Sequence, residues 1–170
     1  MSAEEDVWMR VAYEDEGEEE DPGNKGEYIA ALIKDARCGS QGDPWCAIFT
    51  NAKLECAGIR GTRSALARSF TKDKSFVKLA GPAYGAICVF WRGSRSGPFG
   101  HVGFYIGETE HHVYTLGGNQ NDGVRESPYP KNGRGIGVLG YYWPAGVPLP
   151  VIESVAYADP VVPSEETRAT

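Results

Sequence analysis

The sequence predicts an α+β domain in which helices come first along the chain and an antiparallel β-sheet follows. Apolar residues recur with helical spacing up to about residue 70, whereas after Phe76 they form short β-branched or aromatic runs separated by turns. The 170 residues, among them 22 glycines and 11 prolines, suffice for one domain with a sizeable core and many turns. We therefore expect the N-terminal helices to pack on the antiparallel sheet.

The first two helices are predicted from apolar spacing and from one start signal. A short amphipathic helix would contain Val7, Trp8, Val11 and Ala12 and end at the acidic segment that follows. The second would begin at Asn24, because Asn24 and Glu27 have the spacing of a capping box. Its expected apolar face consists of Tyr28, Ala31, Leu32 and Ile33.

The third helix, predicted over residues 44–57, carries the cysteine that first suggests an activity. Asp43 is a favoured N-cap residue and Pro44 suits the first helical position, which would place Cys46 in the first turn. A thiol there lies near the positive end of the helix dipole, which favours the thiolate, the form that attacks a carbonyl carbon. The competing interpretation is a small buried residue, since free cysteines are often buried.

The rest of the chain is predicted to turn from helix to sheet and then to a tail. Gly58 is expected to end the third helix, and residues 62–70 could form a fourth. Four strands are expected at 86–92, 101–107, 112–118 and 138–144. From residue 146 to residue 170, prolines and scattered acids indicate a C-terminal tail.

The charge of the chain is concentrated in one segment. The net charge is −6, but seven carboxylates lie between Glu14 and Asp21, so the remainder is close to neutral. No nucleic-acid surface is therefore expected. Residues 14–24 are predicted to form a solvated, mobile acidic loop, because the run lacks the alternating acids and the central glycine of a calcium loop.

Neither a targeting segment nor a zinc motif is visible. The N-terminus has no basic region followed by an apolar one, and no apolar run approaches the ~20 residues that span a bilayer. The four cysteines do not form paired CxxC motifs. Cys38, Cys56 and Cys88 are expected to be reduced packing residues. The alternative is that two of them form one disulfide.

A cysteine nucleophile needs an imidazole base and a group that orients the imidazole. His111 and His112 follow a predicted hairpin turn and are expected to face solvent. His101 instead begins an apolar strand. If that strand and the next pair as a hairpin, His101 lies beside Asn119, whose side-chain oxygen could accept a hydrogen bond from the ring. The chain order Cys46, His101, Asn119 is a papain-like arrangement.

Five blocks, taken in order, resemble a CHAP-type amidohydrolase/peptidase. They are DPWCAIF (43–49), AGIRGTRSALARSF (57–70), GAICVFWRGS (85–94), GHVGFYIG (100–107) and LGGNQNDGV (116–124). More narrowly, they are similar to a small wall-hydrolase-like family of bacteria and their phages. The resemblance covers about residues 7–145. It implies a papain-like catalytic domain over residues 1–145, with Cys46 as nucleophile, His101 as base and Asn119 as the third polar residue.

The sequence departs from the CHAP pattern at two places. Many CHAP domains carry a glutamate shortly before the asparagine, where this chain has Gly117 and Gly118. His101 would then be oriented by Asn119 alone or with help from Gln120. Some CHAP domains bind calcium through clustered acids near the nucleophile, but here only Asp43 is available. We therefore predict no metal and no cofactor.

Three further groups could act on the substrate. The backbone N–H of Cys46 is one expected donor to the oxyanion. Gln41 is a second candidate donor, with a polar loop residue as the competing interpretation. Trp45 could wall the substrate groove, although a core aromatic is the competing interpretation.

The resemblance implies cleavage of peptidoglycan amides, as an N-acetylmuramoyl-L-alanine amidase or an endopeptidase of the stem peptide or cross-bridge. A phage endolysin or virion-associated lysin would be made in the bacterial cytoplasm and act at the cell wall. A holin, virion or secretion machinery would deliver it, with the tail as the contact. We expect a monomer without stable membrane insertion. The alternatives are a non-catalytic structural or wall-binding component and a cysteine hydrolase of another amide.

Overall fold

Three α-helices precede the sheet, as the sequence predicts. The fold is described by a computed structural model that covers residues 7–149 and, further along, the backbone of residues 155–156. The helices are α1 (Val7–Glu14), α2 (Glu27–Ala36) and α3 (Cys46–Cys56). The predicted fourth helix at 62–70 is wrong, because only a short 3₁₀ helix forms there, at Ala67–Thr71.

Six antiparallel strands form the sheet in the order β1-β6-β2-β3-β4-β5, and the short β7 runs parallel to the end of β3. The α+β class is therefore confirmed. The strands are β1 (Phe76–Lys78), β2 (Ile87–Arg92), β3 (Gly100–Glu108), β4 (His112–Gln120), β5 (Gly123–Pro130), β6 (Ile136–Pro144) and β7 (Val155–Ala156).

All four predicted strands are confirmed, and they correspond to β2, β3, β4 and β6. The strand β5 was missed because it contains two prolines and several polar residues. It is the last strand in the order of the described sheet and pairs there with β4, and prolines are tolerated at such an edge. The strand β1 was missed because three residues are too few for a periodicity.

The helix α3 lies in the core, with an uninterrupted buried run from Cys46 to Leu54. It packs directly against β4 because of Gly118. A Cβ atom at Gly118 would lie 2.5 Å from Cβ of Phe49 and 2.7 Å from Cζ3 of Trp45. The glycine therefore allows the start of α3 to approach β4 at van der Waals distance.

The predicted starts of α2 and α3 were both wrong. No side chain caps either helix, and α3 begins at Cys46 itself, with Trp45 at the N-cap position. The Asp43 carboxylate instead accepts the backbone N–H of Ser40 at 2.8 Å. Asn24 precedes the N-cap Gly26 and has a left-handed φ of 60°, which excludes it as the cap of a helix that begins at Glu27. Local hydrogen bonds in the loops thus replace both expected caps.

The acidic segment does not behave as the expected solvated, mobile loop, because several of its carboxylates are bonded to the domain. Asp15 accepts from Lys53 of α3 and from the Tyr28 hydroxyl. Glu20 accepts from the Trp45 indole N–H at 2.7 Å. Glu19 pairs with an arginine of β5. These carboxylates meet donors that the sequence could not place near them.

The four cysteines are free. Cys88 is wholly buried and Cys38 partly so, as expected of packing residues, but Cys56 is exposed, which corrects that prediction. Among the described residues, no helix is both long and apolar enough to cross a bilayer. Most of the predicted tail, residues 150–154 and 157–170, lies outside the described part of the chain.

Candidate active site

The beginnings of α3 and β3 meet at a buried thiol. Cys46 is only 4% exposed, and the backbone of Val102, the residue after His101, hydrogen-bonds its sulfur. The backbone of Ala47 does the same from the first turn of α3. Cys46 thus lies beside the strand residue that follows His101, although the predicted nucleophile and base are 55 positions apart in the sequence.

Burial affects the pKa of the Cys46 thiol more strongly than the nearby start of α3 does. Desolvation raises the pKa of Cys46 above its ordinary value, while the Val102 and Ala47 backbone and the charge of Arg92 lower it by less. The expectation that the helix start favours a thiolate is therefore wrong for the resting protein. Cys46 rests as a neutral thiol.

The His101 side chain is fully buried and is bonded through one ring nitrogen. Nε2 lies 2.9 Å from Oε1 of Gln120, whereas Nδ1 is buried and has no hydrogen-bond partner among the residues that the structure describes. Because the amide oxygen can only accept, Nε2 carries the proton and Nδ1 keeps its lone pair. Burial, and next the charge of Arg92, lowers the pKa of His101 to about 3, against a smaller opposite effect of Gln120. His101 is therefore a neutral imidazole whose free nitrogen can accept a proton.

The Gln120 amide is held from several sides. Its Oε1 also accepts from the Thr115 hydroxyl at 2.8 Å, and its Nε2 donates to the carbonyl oxygens of Thr115 and Arg125. Space for this amide comes from two glycines. A Cβ atom at Gly117 or Gly103 would lie 2.5 Å or 3.2 Å from Oε1 of Gln120. The two glycines therefore let Gln120 reach the His101 ring.

The ring partner that the structure shows is Gln120, which corrects the predicted pairing of His101 with Asn119. Asn119 is buried and has a left-handed φ of 55°. The β4–β5 pairing shifts register between Gly117 and Gln120. The prediction relied on hairpin pairing of the two strands, which does not foresee this irregularity, and the next residue, Gln120, bonds the ring instead.

Gln41 and Trp45 have other partners than a substrate. Both polar atoms of the Gln41 amide bond the backbone of Gly26, at 2.9 Å and 3.2 Å, so Gln41 ties the loop before α3 to the start of α2. Trp45 is fully buried and packs edge-to-face against Tyr28. Gln41 is therefore a polar loop residue and Trp45 is a core aromatic residue, as the competing interpretations stated. His111 is exposed, as expected, whereas His112 is partly buried.

Two residues of the cluster were missed in the sequence, Arg92 and Tyr129. The Tyr129 ring lies 4.7 Å from the His101 ring, and its hydroxyl is buried without a partner. Arg92 interacts electrostatically with Cys46, His101 and Tyr129. Strand alternation could have found Arg92, since it shares a strand face with Phe90, whose Cα pairs with His101. No signal existed for Tyr129, which lies on the unpredicted β5.

Within the described residues, no group of three or more histidine, cysteine or carboxylate side chains is placed to hold a metal ion. The absence of a metal stays a prediction. No known protein family, curated protein or solved structure matches this chain. The fold and site define an α+β protein with a buried thiol–imidazole cluster, and its function must be argued from that cluster.

Proposed function

We propose that the protein is a papain-like cysteine hydrolase of the CHAP type that cleaves amide bonds of peptidoglycan. The observation that carries the proposal is the state of the His101 ring. Gln120 binds Nε2, and Nδ1 is left as a free acceptor in the cluster that holds Cys46. An oriented imidazole with one free nitrogen beside a thiol is what nucleophilic catalysis by cysteine requires.

In the proposed reaction, Cys46 attacks the amide carbonyl while its proton moves to Nδ1 of His101. The S–C bond forms and negative charge develops on the carbonyl oxygen. The C–N bond then breaks, and the proton on Nδ1 passes to the departing amine. Water next attacks the thioester and gives its proton to Nδ1, from which it returns to the sulfur as the carboxylic acid leaves.

The pKa values determine when the proton moves. Burial keeps Cys46 a thiol and His101 a neutral base at rest, so the transfer accompanies the attack and does not precede it. The Val102 and Ala47 backbone groups that hydrogen-bond the sulfur stabilise the charge that appears on it. Gln120 holds the ring in the tautomer that can accept the proton.

The substrate class and the setting rest on the resemblance of the five sequence blocks. We propose a muramoyl-alanine amidase or a peptidoglycan endopeptidase that acts at the bacterial cell wall as a monomer. Delivery would involve a holin, a virion or a secretion machine, with the C-terminal tail as the contact. No metal, nucleic acid or membrane insertion is needed for this function.

The experiment is mass spectrometry of fragments released from purified peptidoglycan by the full chain and by Cys46→Ala. We expect new amine and carboxyl ends from the full chain and none from the variant. Ends at the muramoyl-alanine bond identify an amidase, and ends within the peptide identify an endopeptidase. Intact peptidoglycan after prolonged incubation with the full chain would refute the proposal.

A non-catalytic structural or wall-binding component is the second candidate, and one observation favours it. Cys46 and His101 are 4% and 0% exposed, so the described conformation offers little access to substrate. The uncharged thiol reagent iodoacetamide separates the two functions. Alkylation of Cys46 in the folded protein indicates an accessible nucleophile, whereas a thiol that reacts only after unfolding favours the wall-binding role.

A further inference from the structure

Arg92 ends β2 on the face that carries the candidate site. Phe90, two residues before Arg92, lies directly opposite His101 in the β2–β3 pairing. The centroids of the Phe90 and His101 rings are 5.9 Å apart. Residues two apart on a strand face the same side of a sheet. Arg92 therefore belongs to the same face as His101, and its charge acts on Cys46, His101 and Tyr129.

Within the described part of the chain, two donors of the Arg92 guanidinium have no hydrogen-bond partner. Nε and Nη2 are both buried and lack hydrogen-bond partners. These two nitrogens lie on one edge of the planar guanidinium, where their N–H bonds are parallel and match the two oxygens of a carboxylate. Buried donors without partners are costly and rare in folded proteins, so this edge is suited to a ligand.

The charge of Arg92 is also uncompensated. Arg63 pairs with Glu55 at 3.1 Å, and Arg68 donates to three carbonyl oxygens in residues 94–99. Within residues 7–149, Arg92 forms no ion pair. The fully buried Tyr129 hydroxyl beside it is likewise without a hydrogen-bond partner. A partly buried cation next to a free hydroxyl attracts an anion that can also accept hydrogen bonds.

Arg92 is the member of the cluster that solvent can reach. Cys46, His101, Gln120 and Tyr129 are buried, whereas Arg92 is partly exposed. Solvent therefore reaches part of the Arg92 side chain, while its Nε and Nη2 edge is buried within the cluster. Stem peptides of peptidoglycan carry carboxylates on their D-glutamate and at their C-terminus, close to their amide bonds.

We propose that Arg92 binds a carboxylate of the substrate through Nε–H and Nη2–H, and thereby selects amides that carry a carboxylate near the scissile bond. This inference rests on the proposed amide hydrolysis for its substrate class. Arg92 is then a specificity-determining residue, with Tyr129 as a neighbouring hydroxyl donor.

The test compares two probes on Cys46→Ala, which cannot consume them. The first is N-acetylmuramoyl-L-alanyl-D-glutamate with both carboxylates free, and the second is the same molecule with both converted to carboxamides. We expect titration calorimetry to show the acid bound about 10- to 100-fold more tightly than the amide, as for a charge-assisted bidentate pair. Adding Arg92→Ala should remove this preference. Adding Arg92→Lys keeps the positive charge but removes the two parallel N–H donors, so this variant should retain only a small part of the preference for the acid.

The matched control is Arg134→Ala, which removes an exposed cation of the β5–β6 loop and should leave the preference intact. Arg92→Gln provides a further variant of similar size should Arg92→Ala fail to fold. Equal affinity for the two probes, or a preference that survives loss of Arg92, would overturn the inference. A preference for the acid that depends on Arg92 supports the inference, whether or not the unmodified chain cleaves peptidoglycan. If that preference is found but the unmodified chain releases no fragments, only the proposed hydrolysis is refuted.

Discussion

The two ends of α3 bury polar groups in opposite ways. Toward its C-terminus, Asn51 donates to Thr62 and Ser64 and accepts from the Thr62 backbone, and Lys53 is paired with Asp15. At its N-terminus, around Cys46, buried polar atoms of His101, Arg92 and Tyr129 have no hydrogen-bond partner in residues 7–149. Satisfied buried networks specify a structure, whereas buried groups without partners point to chemistry or to a ligand. We therefore expect the first end to govern stability and the second to govern activity.

The sharpest test of this contrast is Cys46→Ala. The proposed turnover of peptidoglycan should be lost completely, because the proposed nucleophile is removed, while the free energy of unfolding should change by only about 1 kcal/mol. The matched control is Cys88→Ala in the sheet, which should lower the free energy of unfolding by about 1–2 kcal/mol and leave turnover intact. Fragment release and urea unfolding of both variants provide the measurement. Wild-type turnover by Cys46→Ala would end the nucleophile assignment.

The next effect concerns the proposed base, His101, and the amide of Gln120 that we propose orients it. His101→Ala should reduce kcat by ~10²–10⁴-fold, the usual contribution of a general base. Gln120→Ala should reduce it by less, because the ring remains but its tautomer and plane are no longer selected. Asn119→Gly, which keeps the left-handed backbone without strain, should have a smaller effect than Gln120→Ala.

Turnover numbers for these three variants test whether the orienting role belongs to Gln120. Gln120→Glu is a useful fourth variant. A carboxylate there could accept from the ring, but its second oxygen would face the carbonyl oxygens of Thr115 and Arg125. We therefore expect Gln120→Glu not to restore full activity. If Asn119→Gly is inactive and Gln120→Ala remains active, the residue that orients the His101 ring is Asn119 and not Gln120.

The opposite end of α3 should respond in stability alone. Asn51→Ala removes the partner of the Thr62 backbone N–H and should lower the free energy of unfolding by about 2–3 kcal/mol. Its kcat, measured well below the melting temperature, should equal that of the parent. The exposed Asn132→Ala is the control for loss of an amide at the surface. A large fall in kcat without a fall in stability would contradict the division between the two ends.

A last effect, spread gradually over pH, is a dependence of stability on pH that arises from His101. Its pKa is about 3 in the folded chain and about 6.5 when unfolded. Between these values the unfolded state binds a proton that the folded state does not. The free energy of unfolding should therefore fall as the pH drops below about 6.5, by at most ~1.4 kcal/mol per pH unit.

The measurement is urea unfolding of the parent and of His101→Asn between about pH 4.5 and pH 7.5. The difference between the two slopes isolates His101 from the carboxylates, which titrate in both proteins. Equal slopes would show that His101 does not titrate as a buried neutral group.

Much of the architecture could be predicted from local pattern. The helices α1 and α2 follow from apolar periodicity, since each buries one stripe. The helix α3 and the four strands follow from apolar runs between turn residues, and α3 and β3 are buried almost throughout. The helix starts could not be predicted, because Asp43 bonds Ser40 and the expected cap at Asn24 is replaced by a loop that Gln41 holds at Gly26. In both loops a local hydrogen bond competes with the cap, and sequence spacing alone cannot decide between them.

By itself, the sequence determined the α+β class and singled out Cys46 and His101 as candidate site residues, because apolar patterns reveal which stretches form helices and strands. Only the tertiary structure decided the rest of the site. A register shift in β4–β5 presents Gln120 to the ring, and the edge strand β5 adds Tyr129. Burial keeps the thiol neutral against the helix dipole. These outcomes depend on contacts between distant segments, where a one-residue shift exchanges the side chains that face each other.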